Sequence, residues 1–289
     1  MKRILTILAL SLLCLTSNAQ LLWKISGNGI KKPSYIVGSH HACNFQYCDS
    51  IPGLMKAFEK VDYVIGEYDM VKSQQMTPEE TMKLKSMMMM PADTSFGSLF
   101  AEDEKAKLDE FLKSKLGVPS DKLVTLKPMA IMITVQNKVI MEVLPDAATM
   151  TGMDKYMQTF ADYKGKGVGG LETMNYQMEL LFGGSLESQA DALLEYIDTG
   201  NTKELITKLT DAYKSQDLDQ LWEVFMEQMS KYDYDNVVTV RNRNWEKQMK
   251  ELLPKQSTLF VVGAGHLPGE FGMINLLRNA GYKLKPVTK

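Results

Sequence analysis

The chain carries one pattern twice, as Tyr35-Ile36-Val37-Gly38-Ser39-His40-His41 near its start and Leu259-Phe260-Val261-Val262-Gly263-Ala264-Gly265-His266 near its end. Each copy is a hydrophobic run followed by Val-Gly-x-x-His, and a Pro-Gly pair and a predicted helix come after each. Glycine directly after a strand lets the backbone turn sharply at the carboxyl edge of a sheet, where α/β sheets bind ligands. If the two units form adjacent strands, they point His41 and His266 into one crevice.

Runs of β-favouring residues predict strands near both ends of the chain, at residues 21–25, 35–37, 61–67, 258–262 and 282–287. A Gly27-Asn28-Gly29 turn joins the first two into a hairpin. From the capping box Thr77-Pro78-Glu79-Glu80 the apolar residues follow helical spacing to about residue 253, apart from a Gly-rich strand or loop at residues 166–171.

We therefore expect an α/β (α+β) fold with a mixed central sheet built from the N- and C-terminal segments. A large helical insertion occupies about residues 77–253. Because no Pro/Ser-rich linker divides the chain, residues 20–289 are predicted to form one domain.

Composition excludes several classes of protein. The 289 residues include 33 Lys and Arg against 35 Asp and Glu, and a pI near 6.0 excludes a generally basic nucleic-acid-binding surface. Three cysteines are too few for a disulfide-dense scaffold. Imidazole chemistry must draw on three histidines, His40, His41 and His266.

The first 19 residues have the three parts of a secretory signal peptide. A positively charged start precedes an apolar run at residues 4–15, and Ser17-Asn18-Ala19 supplies the small residues of a cleavage site. We expect export to the periplasm or beyond, with no stable membrane span after cleavage. A lipid anchor on Cys14 is disfavoured because the bulky Leu13 precedes it.

Export would place Cys43 and Cys48 in an oxidising compartment, where paired cysteines are more often bridged than free. We therefore predict a disulfide between them that staples a small loop. A soft metal site or a redox-active pair is less favoured, since the spacing lacks a CxxC motif.

Most of the 21 methionines lie between Met70 and Met178. The favoured interpretation is that these flexible side chains fill the core of the helical insertion. The alternatives are an adaptable apolar groove for ligands or peptides and a copper site, which would need a regular Met-x-x-Met array with nearby His.

Two glutamates stand at predicted strand ends. Glu67 ends the apolar run at residues 61–67, and Glu172 follows Gly169-Gly170-Leu171. An apolar strand seldom ends in a buried carboxylate without a partner, although a helix-terminal or loop carboxylate is the simpler interpretation of each. Two imidazoles with one or two carboxylates match a site for Zn, Mn or Co, and they also match a metal-free acid/base site.

Arg241-Asn242 lies on the helix before the last strand unit and is a further candidate. An arginine there could bind a substrate carboxylate or stabilise an oxyanion. The alternative is a solvated helix face, which the charged neighbours favour: Arg243, Glu246, Lys247 and Lys250.

Several familiar motifs do not apply. Residues 165–170 fit GxGxxG but follow a predicted helix rather than a strand, so they do not predict a dinucleotide site. The sequence has no P-loop, no HExxH and no GxSxG.

In chain order these features resemble the TraB/GumN family over nearly all of the mature chain. The resemblance is carried by Trp23-Lys24-Ile25, the Gly38 to His41 turn, Glu67, Gly170-Leu171-Glu172-Thr173, Gln177, Arg241-Asn242 and Gly263-Ala264-Gly265-His266-Leu267-Pro268-Gly269. That family is related to the Tiki proteins, which are divalent-metal-dependent proteases, and more distantly to ChaN-like haem-binding and erythromycin-esterase-like proteins. The resemblance implies a mixed α/β fold whose active site is formed by the two GxxH turns and a Glu. The first motif reads Gly-Ser-His-His where Gly-Thr-x-His is commoner, so His40 is an extra imidazole.

Two functions are compatible with these residues. The first is an exported, metal-dependent hydrolase acting on a peptide or small-molecule substrate. The predicted metal ligands are His41, His266 and Glu172, with Glu67 as a ligand or general base and Arg241 and Asn242 as further catalytic candidates. The second is a non-catalytic periplasmic binding protein for haem or another apolar ligand, with His40 or His41 as axial ligand. Gly38, Gly263 and Gln177 complete the predicted site in either case.

Overall fold

The two Gly-x-x-His turns follow strands of one mixed β-sheet. The computed structural model describes residues 20–228 and 234–288, and the strands within them are β1 Leu22–Ser26, β2 Ser34–Ser39, β3 Tyr63–Tyr68, β4 Gly167–Glu172, β5 Thr258–Gly263 and β6 Lys283–Pro286. Their order across the sheet is β4-β3-β5-β2-β1-β6. The first four strands in that order run parallel, whereas β1 pairs antiparallel with both β2 and β6. The predicted α/β class is confirmed, and so is the hairpin of β1 and β2.

The pairing of β2 with β5 brings the repeated units side by side, as predicted. Gly38 is the register partner of Val262, and Ser39 is the partner of Gly263. A Cβ atom on Gly38 would lie 2.9 Å from the Cα atom of Ala264, a separation that leaves no space for a side chain. Glycine at this position therefore allows the two turns to pass each other at the carboxyl edge of the sheet.

Helices make up most of the remaining described chain. Their bounds are α1 Leu54–Lys60, α2 Met70–Ser73, α3 Pro78–Met87, α4 Glu102–Leu116, α5 Pro128–Val143, α6 Met153–Tyr163, α7 Met174–Phe182, α8 Leu186–Thr199, α9 Thr202–Ser215, α10 Leu218–Gln228, α11 Val240–Leu252 and α12 Met273–Asn279. The predicted capping box at Thr77 is confirmed, since its hydroxyl accepts from the Glu80 N–H while the Glu80 carboxylate accepts from the Thr77 N–H. Asn201, at the N-terminus of α9, makes no side-chain cap hydrogen bond.

Hydrophobic residues form two core clusters. The larger one surrounds the sheet, and the smaller one lies within the helical insertion, where Leu112 of α4, Ile131 of α5 and Leu193 of α8 are fully buried. The fully buried members of the smaller cluster that the structure describes include no methionine. Two methionines of the insertion, Met153 and Met157, are fully buried in the larger cluster, whereas Met82 is 69% exposed and Met141 is 47% exposed. The methionines therefore fill core positions only in part.

The predicted disulfide is not formed in the structure, which holds Cys43 and Cys48 as separate buried thiols. Burial raises the pKa of Cys43 to about 11 and that of Cys48 to about 12. Both thiols are therefore protonated near neutral pH. Both side chains pack in the core around the sheet, and Cys48 itself lies in the short 3₁₀ helix Phe45–Ser50.

The predicted signal peptide, residues 1–19, lies outside the described residues. Among the helices that the structure describes, none is both long enough and apolar enough to cross a membrane.

Candidate functional site

A cavity of about 380 Å³ lies at the carboxyl edge of the parallel strands. His41 follows β2, Glu67 lies in β3, His266 lies in the turn after β5, and Arg241 reaches in from α11. All four residues line the same cavity. The structure thus brings together, from four elements, the residues that the repeated motif and the strand-end glutamate predicted.

Glu67, His41 and His266 face one point beside Gly263. A Cβ atom built on Gly263 would lie 3.2 Å from Glu67 Oε1, 3.5 Å from His41 Nε2 and 3.6 Å from His266 Cδ2. The absence of a side chain at Gly263 leaves this point open, so a small group could contact all three residues there. Gly263 also holds the carboxylate, because its N–H donates to Glu67 Oε1 at 2.8 Å.

Asn242 fixes the orientation and tautomer of His266. Its amide nitrogen donates to the carbonyl oxygens of His266 and Phe271, at 3.1 and 2.8 Å, so its Oδ1 is the acceptor that lies 2.7 Å from His266 Nδ1. The Nδ1 proton is therefore donated to Asn242, and the Nε2 lone pair faces the cavity. Asn242, predicted as catalytic, is a positioning residue in this geometry.

Asp154 performs the same task for His41. Its Oδ2 lies 3.1 Å from His41 Nδ1, and its Oδ1 accepts a hydrogen bond from the hydroxyl of Ser39. The His41 side chain is 66% exposed at the cavity mouth, while Asp154 is buried. A metal-binding histidine usually donates its other ring nitrogen to such a carboxylate, which fixes the ring.

Arg241 is the centre of a buried ionic network. Its Nη2 donates to Glu67 Oε2 at 2.6 Å and to Glu172 Oε1, its Nε donates to both oxygens of Glu172, and its Nη1 lies 3.1 Å from His266 Nε2. A weaker contact from Nη1 to the Val237 carbonyl, at 3.5 Å, uses the remaining donor. The solvated-face alternative for Arg241 is therefore wrong. Arg241 was also predicted to bind a substrate carboxylate, but in this arrangement it has no free N–H donor for that contact.

Glu172 and Gln177 support this network rather than the point beside Gly263. Glu172 accepts from Arg241, from Gln177 Nε2 at 2.7 Å and from Trp245 Nε1 at 3.1 Å. Gln177 also donates to Glu67 at 3.0 Å, which joins the two carboxylates. Glu172 was predicted as a metal ligand, but its oxygens are occupied by these donors, so the structure places it as the partner of Arg241.

The charges around the site fix its protonation state. Burial opposes the ionisation of Glu67, but His266, His41, Arg241 and the Gly263 N–H outweigh it and lower the pKa of Glu67 to about 2. Burial, reinforced by the charge of Arg241, lowers the pKa of His266 to about 3. The charge of Asp154 raises the pKa of His41. At neutral pH the cavity therefore contains an ionised Glu67 and a neutral His266.

The family model of the TraB/PrgY/gumN proteins matches residues 21–286 of this chain. The chain belongs to the TraB/PrgY/gumN family. Searches of curated proteins and of solved structures gave no match. For this family member the match spans both Gly-x-x-His turns, Glu67 and Arg241, so the site lies wholly within the region that defines the family.

The other histidine of the first turn, His40, also lines the cavity of this TraB/PrgY/gumN protein, but its ring nitrogens have other partners. The Ala42 N–H donates to His40 Nδ1 at 3.2 Å, Thr210 Oγ1 lies 3.4 Å from Nε2, and the ring packs on Tyr213. Burial lowers the pKa of His40 to about 4. Both ring nitrogens are engaged, so His40 is not placed as a ligand.

Sequence reasoning missed Asp154 and Trp245. Asp154 shares the buried face of α6 with Gln158, four residues on, among Met153, Met157 and Ala161. Polar residues at two apolar-face positions of one helix are the signal that could have revealed it. The Trp245 ring packs against His266, with ring centroids 4.4 Å apart, and lies 4.7 Å from the Arg241 guanidinium carbon.

The residues beside Gly263 fit a divalent cation in their chemistry. Two imidazoles with oriented rings and an ionised carboxylate are suitable ligands for Zn, Mn or Co. Within the described part of the chain, however, no three His, Cys, Asp or Glu side chains are grouped as a ready metal site. In this arrangement Arg241 Nη1 lies 3.1 Å from His266 Nε2, and that nitrogen lies 3.9 Å from Glu67 Oε1.

Proposed function

We propose that this TraB/PrgY/gumN protein is an exported hydrolase that cleaves peptide bonds with the help of one divalent cation, Mn, Co or Zn. The observation that supports the proposal is the convergence of Glu67, His41 and His266 on the open point beside Gly263. The resemblance of the paired turns to those of the Tiki proteases favours the same reaction.

His41, His266 and Glu67 are the residues that would hold the cation. A bound divalent cation supplies two kinds of chemistry, a lowered pKa of a bound water and polarisation of a carbonyl. Glu67 suits the role of ligand better than that of general base, because its pKa of about 2 makes it a weak proton acceptor near neutral pH. Of the two roles that the sequence left open for Glu67, we therefore propose that of metal ligand.

The surrounding residues position these ligands. Asp154 and Asn242 each hold one imidazole by its Nδ1 atom. Arg241 keeps Glu67 ionised and occupies the His266 Nε2 lone pair. Cation binding through His266 therefore requires the Arg241 guanidinium to give up that contact.

The test is metal-dependent cleavage of a mixed peptide library by the purified mature protein. We expect cleavage with at least one of Mn, Co and Zn, loss of cleavage after addition of a chelator, and loss of both activity and metal in Glu67→Gln. Glu59→Gln is the matched control, because Glu59 is exposed on α1, away from the cavity. Retained metal with lost turnover would assign Glu67 as a general base instead, and no cleavage with any of the three metals would refute the hydrolase.

Export is proposed from residues 1–19 alone, which have the charged, apolar and small-residue parts of a signal peptide in order. N-terminal sequencing of protein recovered from the periplasm or medium should begin near Gln20. Recovery of a chain that still begins at Met1 would contradict it.

A second candidate function is the binding of haem or another apolar ligand without catalysis. The observation that favours it is the apolar part of the cavity wall, which includes Leu209, Leu221 and Phe225. His41 would be the axial ligand, since His40 has both ring nitrogens engaged. Haem added to the purified protein would give a shifted Soret band that His41→Ala abolishes, whereas an unchanged spectrum would exclude haem.

A further inference from the structure

The residues that line the cavity are of two kinds, which we call its polar half and its apolar half. One half contains the polar residues that face Gly263, and the other is made of side chains from the helical insertion and from the π-helical turn Asp235–Thr239. The apolar half consists of Ile140, Leu209, Leu221, Phe225, Val237 and Val238. Substrate bound at the polar half would therefore have apolar side chains within reach.

Phe225 joins the two halves. A Cβ atom on Gly265 would lie 3.2 Å from Phe225 Cε2, so the ring packs directly on the second Gly-x-x-His turn. Val237 continues the wall on the other side, with its carbonyl 3.5 Å from Arg241 Nη1. The apolar wall therefore contacts Gly265, the residue next to His266.

The charged groups of the cavity leave little to satisfy a charged substrate side chain. Arg241 and Glu67 are each 8% exposed and are paired with one another at 2.6 Å. A lysine or aspartate side chain placed against the apolar wall would lose its hydration without gaining a partner. An apolar side chain would instead bury its surface, at a gain that grows with its size.

We infer that this half of the cavity is the specificity pocket of the enzyme, and that it selects peptides with a large apolar residue, such as Leu or Phe, beside the scissile bond. This inference rests on the proposed hydrolase and names its substrate class. The cavity, at about 380 Å³, has room for one such side chain together with the peptide group that enters the polar half.

The chain offers a matched pair of variants for the test. Val237 lines the pocket and is 41% exposed, whereas Val240, three residues later, is 44% exposed and does not line it. Because both side chains reach solvent, Val237→Asp and Val240→Asp should both fold. Only the first places a carboxylate in the pocket.

The first measurement is kcat/KM for quenched fluorescent peptides that differ only in one residue beside the cleaved bond, Leu, Phe, Ala, Asp or Lys. We expect the Leu and Phe peptides to exceed the Ala peptide by about tenfold or more, since single methylenes in such pockets discriminate about 10- to 200-fold. Val237→Asp should lower kcat/KM for the Leu peptide by about tenfold and favour the Lys peptide, while Val240→Asp stays within about twofold of wild type. Equal cleavage of all five peptides by wild type would overturn the pocket and leave the hydrolase intact.

The second measurement does not depend on catalysis. Fluorescence of Nile red, an uncharged apolar dye, should rise saturably with wild type and with Val240→Asp and should fall to the free-dye level with Val237→Asp. If no peptide is cleaved with Mn, Co or Zn, the hydrolase fails and this measurement alone decides the pocket. Equal dye binding by Val237→Asp and Val240→Asp would then overturn it.

Discussion

Replacement of Arg241 by methionine should strongly destabilise the protein. Arg241, Glu67 and Glu172 are buried together, and the guanidinium is the cation shared by both carboxylates. Methionine keeps much of the side-chain volume but leaves two buried carboxylates without their partner. Breaking a buried ion pair in this way costs about 3–5 kcal/mol.

The pKa of Glu67 gives a second measure of the same effect. Its ordinary value of 4.5 falls to about 2 in the folded protein. At about 1.4 kcal/mol per pKa unit, ionised Glu67 contributes about 3 kcal/mol to stability above pH 4.5, and this contribution is lost as the pH falls from 4.5 towards 2. Arg241 supplies only part of this lowering, which it shares with the two histidines and the Gly263 N–H, so we expect a loss at the low end of the ion-pair range, about 3 kcal/mol.

The assay is urea unfolding and thermal unfolding of wild type, Arg241→Met and the control Arg243→Met. Arg243 lies on the same helix but is exposed, with its guanidinium over the Phe271 ring. We expect Arg241→Met to lower the melting temperature by about 6–12 °C at pH 7, and Arg243→Met by no more than about 2 °C. The gap between wild type and Arg241→Met should narrow below pH 4.5, where the unpaired carboxylates of the variant take up protons. A loss for Arg241→Met no larger than that for Arg243→Met, or one independent of pH, would refute the reasoning.

Three further predictions concern the histidines and the open point. Asp154→Asn should lower the pKa of His41, because the charge of Asp154 raises that pKa. An NMR titration can measure this, since the chain has only three histidines to assign. An unchanged pKa of His41 would contradict its contact with Asp154. In the same titration His266 should stay neutral from pH 8 to about pH 4, because its pKa is about 3. Gly263→Ala should fold, since the backbone φ of −53° suits alanine. It should lose metal binding, because the methyl group fills the point that the three proposed ligands face. If the variant binds metal as wild type does, the metal site is not at this point.

Local patterns predicted the parts of the fold that depend on short stretches of chain. The hairpin, the capping box at Thr77 and the paired turns at one edge of the sheet follow from turn chemistry and from the strand-Gly-x-x-His pattern. The pairing of Glu172 with Arg241 joins residues 69 apart in sequence, so no local spacing reveals it. For that reason the sequence predicted Glu172 as a metal ligand and not as the ion-pair partner of Arg241.

The orientation of α11 was hidden for a different reason. Its charged residues dominate the local composition, which favoured a solvated face. The structure buries Arg241, Asn242, Trp245 and Met249, which recur at helical spacing on one side of the helix. The π-helical turn before α11 changes the helical register there, and such turns are often found at functional sites.

Metal binding by the purified mature protein tests the central claim most directly. Isothermal titration with Mn, Co and Zn should show one site per chain in wild type, and His41→Ala and His266→Ala should each remove most of that binding. The double variant should be no worse than either single one, because the two ligands act as a unit. His40→Ala, which alters the neighbouring imidazole but no proposed ligand, should bind as wild type does. Wild-type protein that binds none of the three metals, or His266→Ala protein that binds as tightly as wild type, would contradict the account.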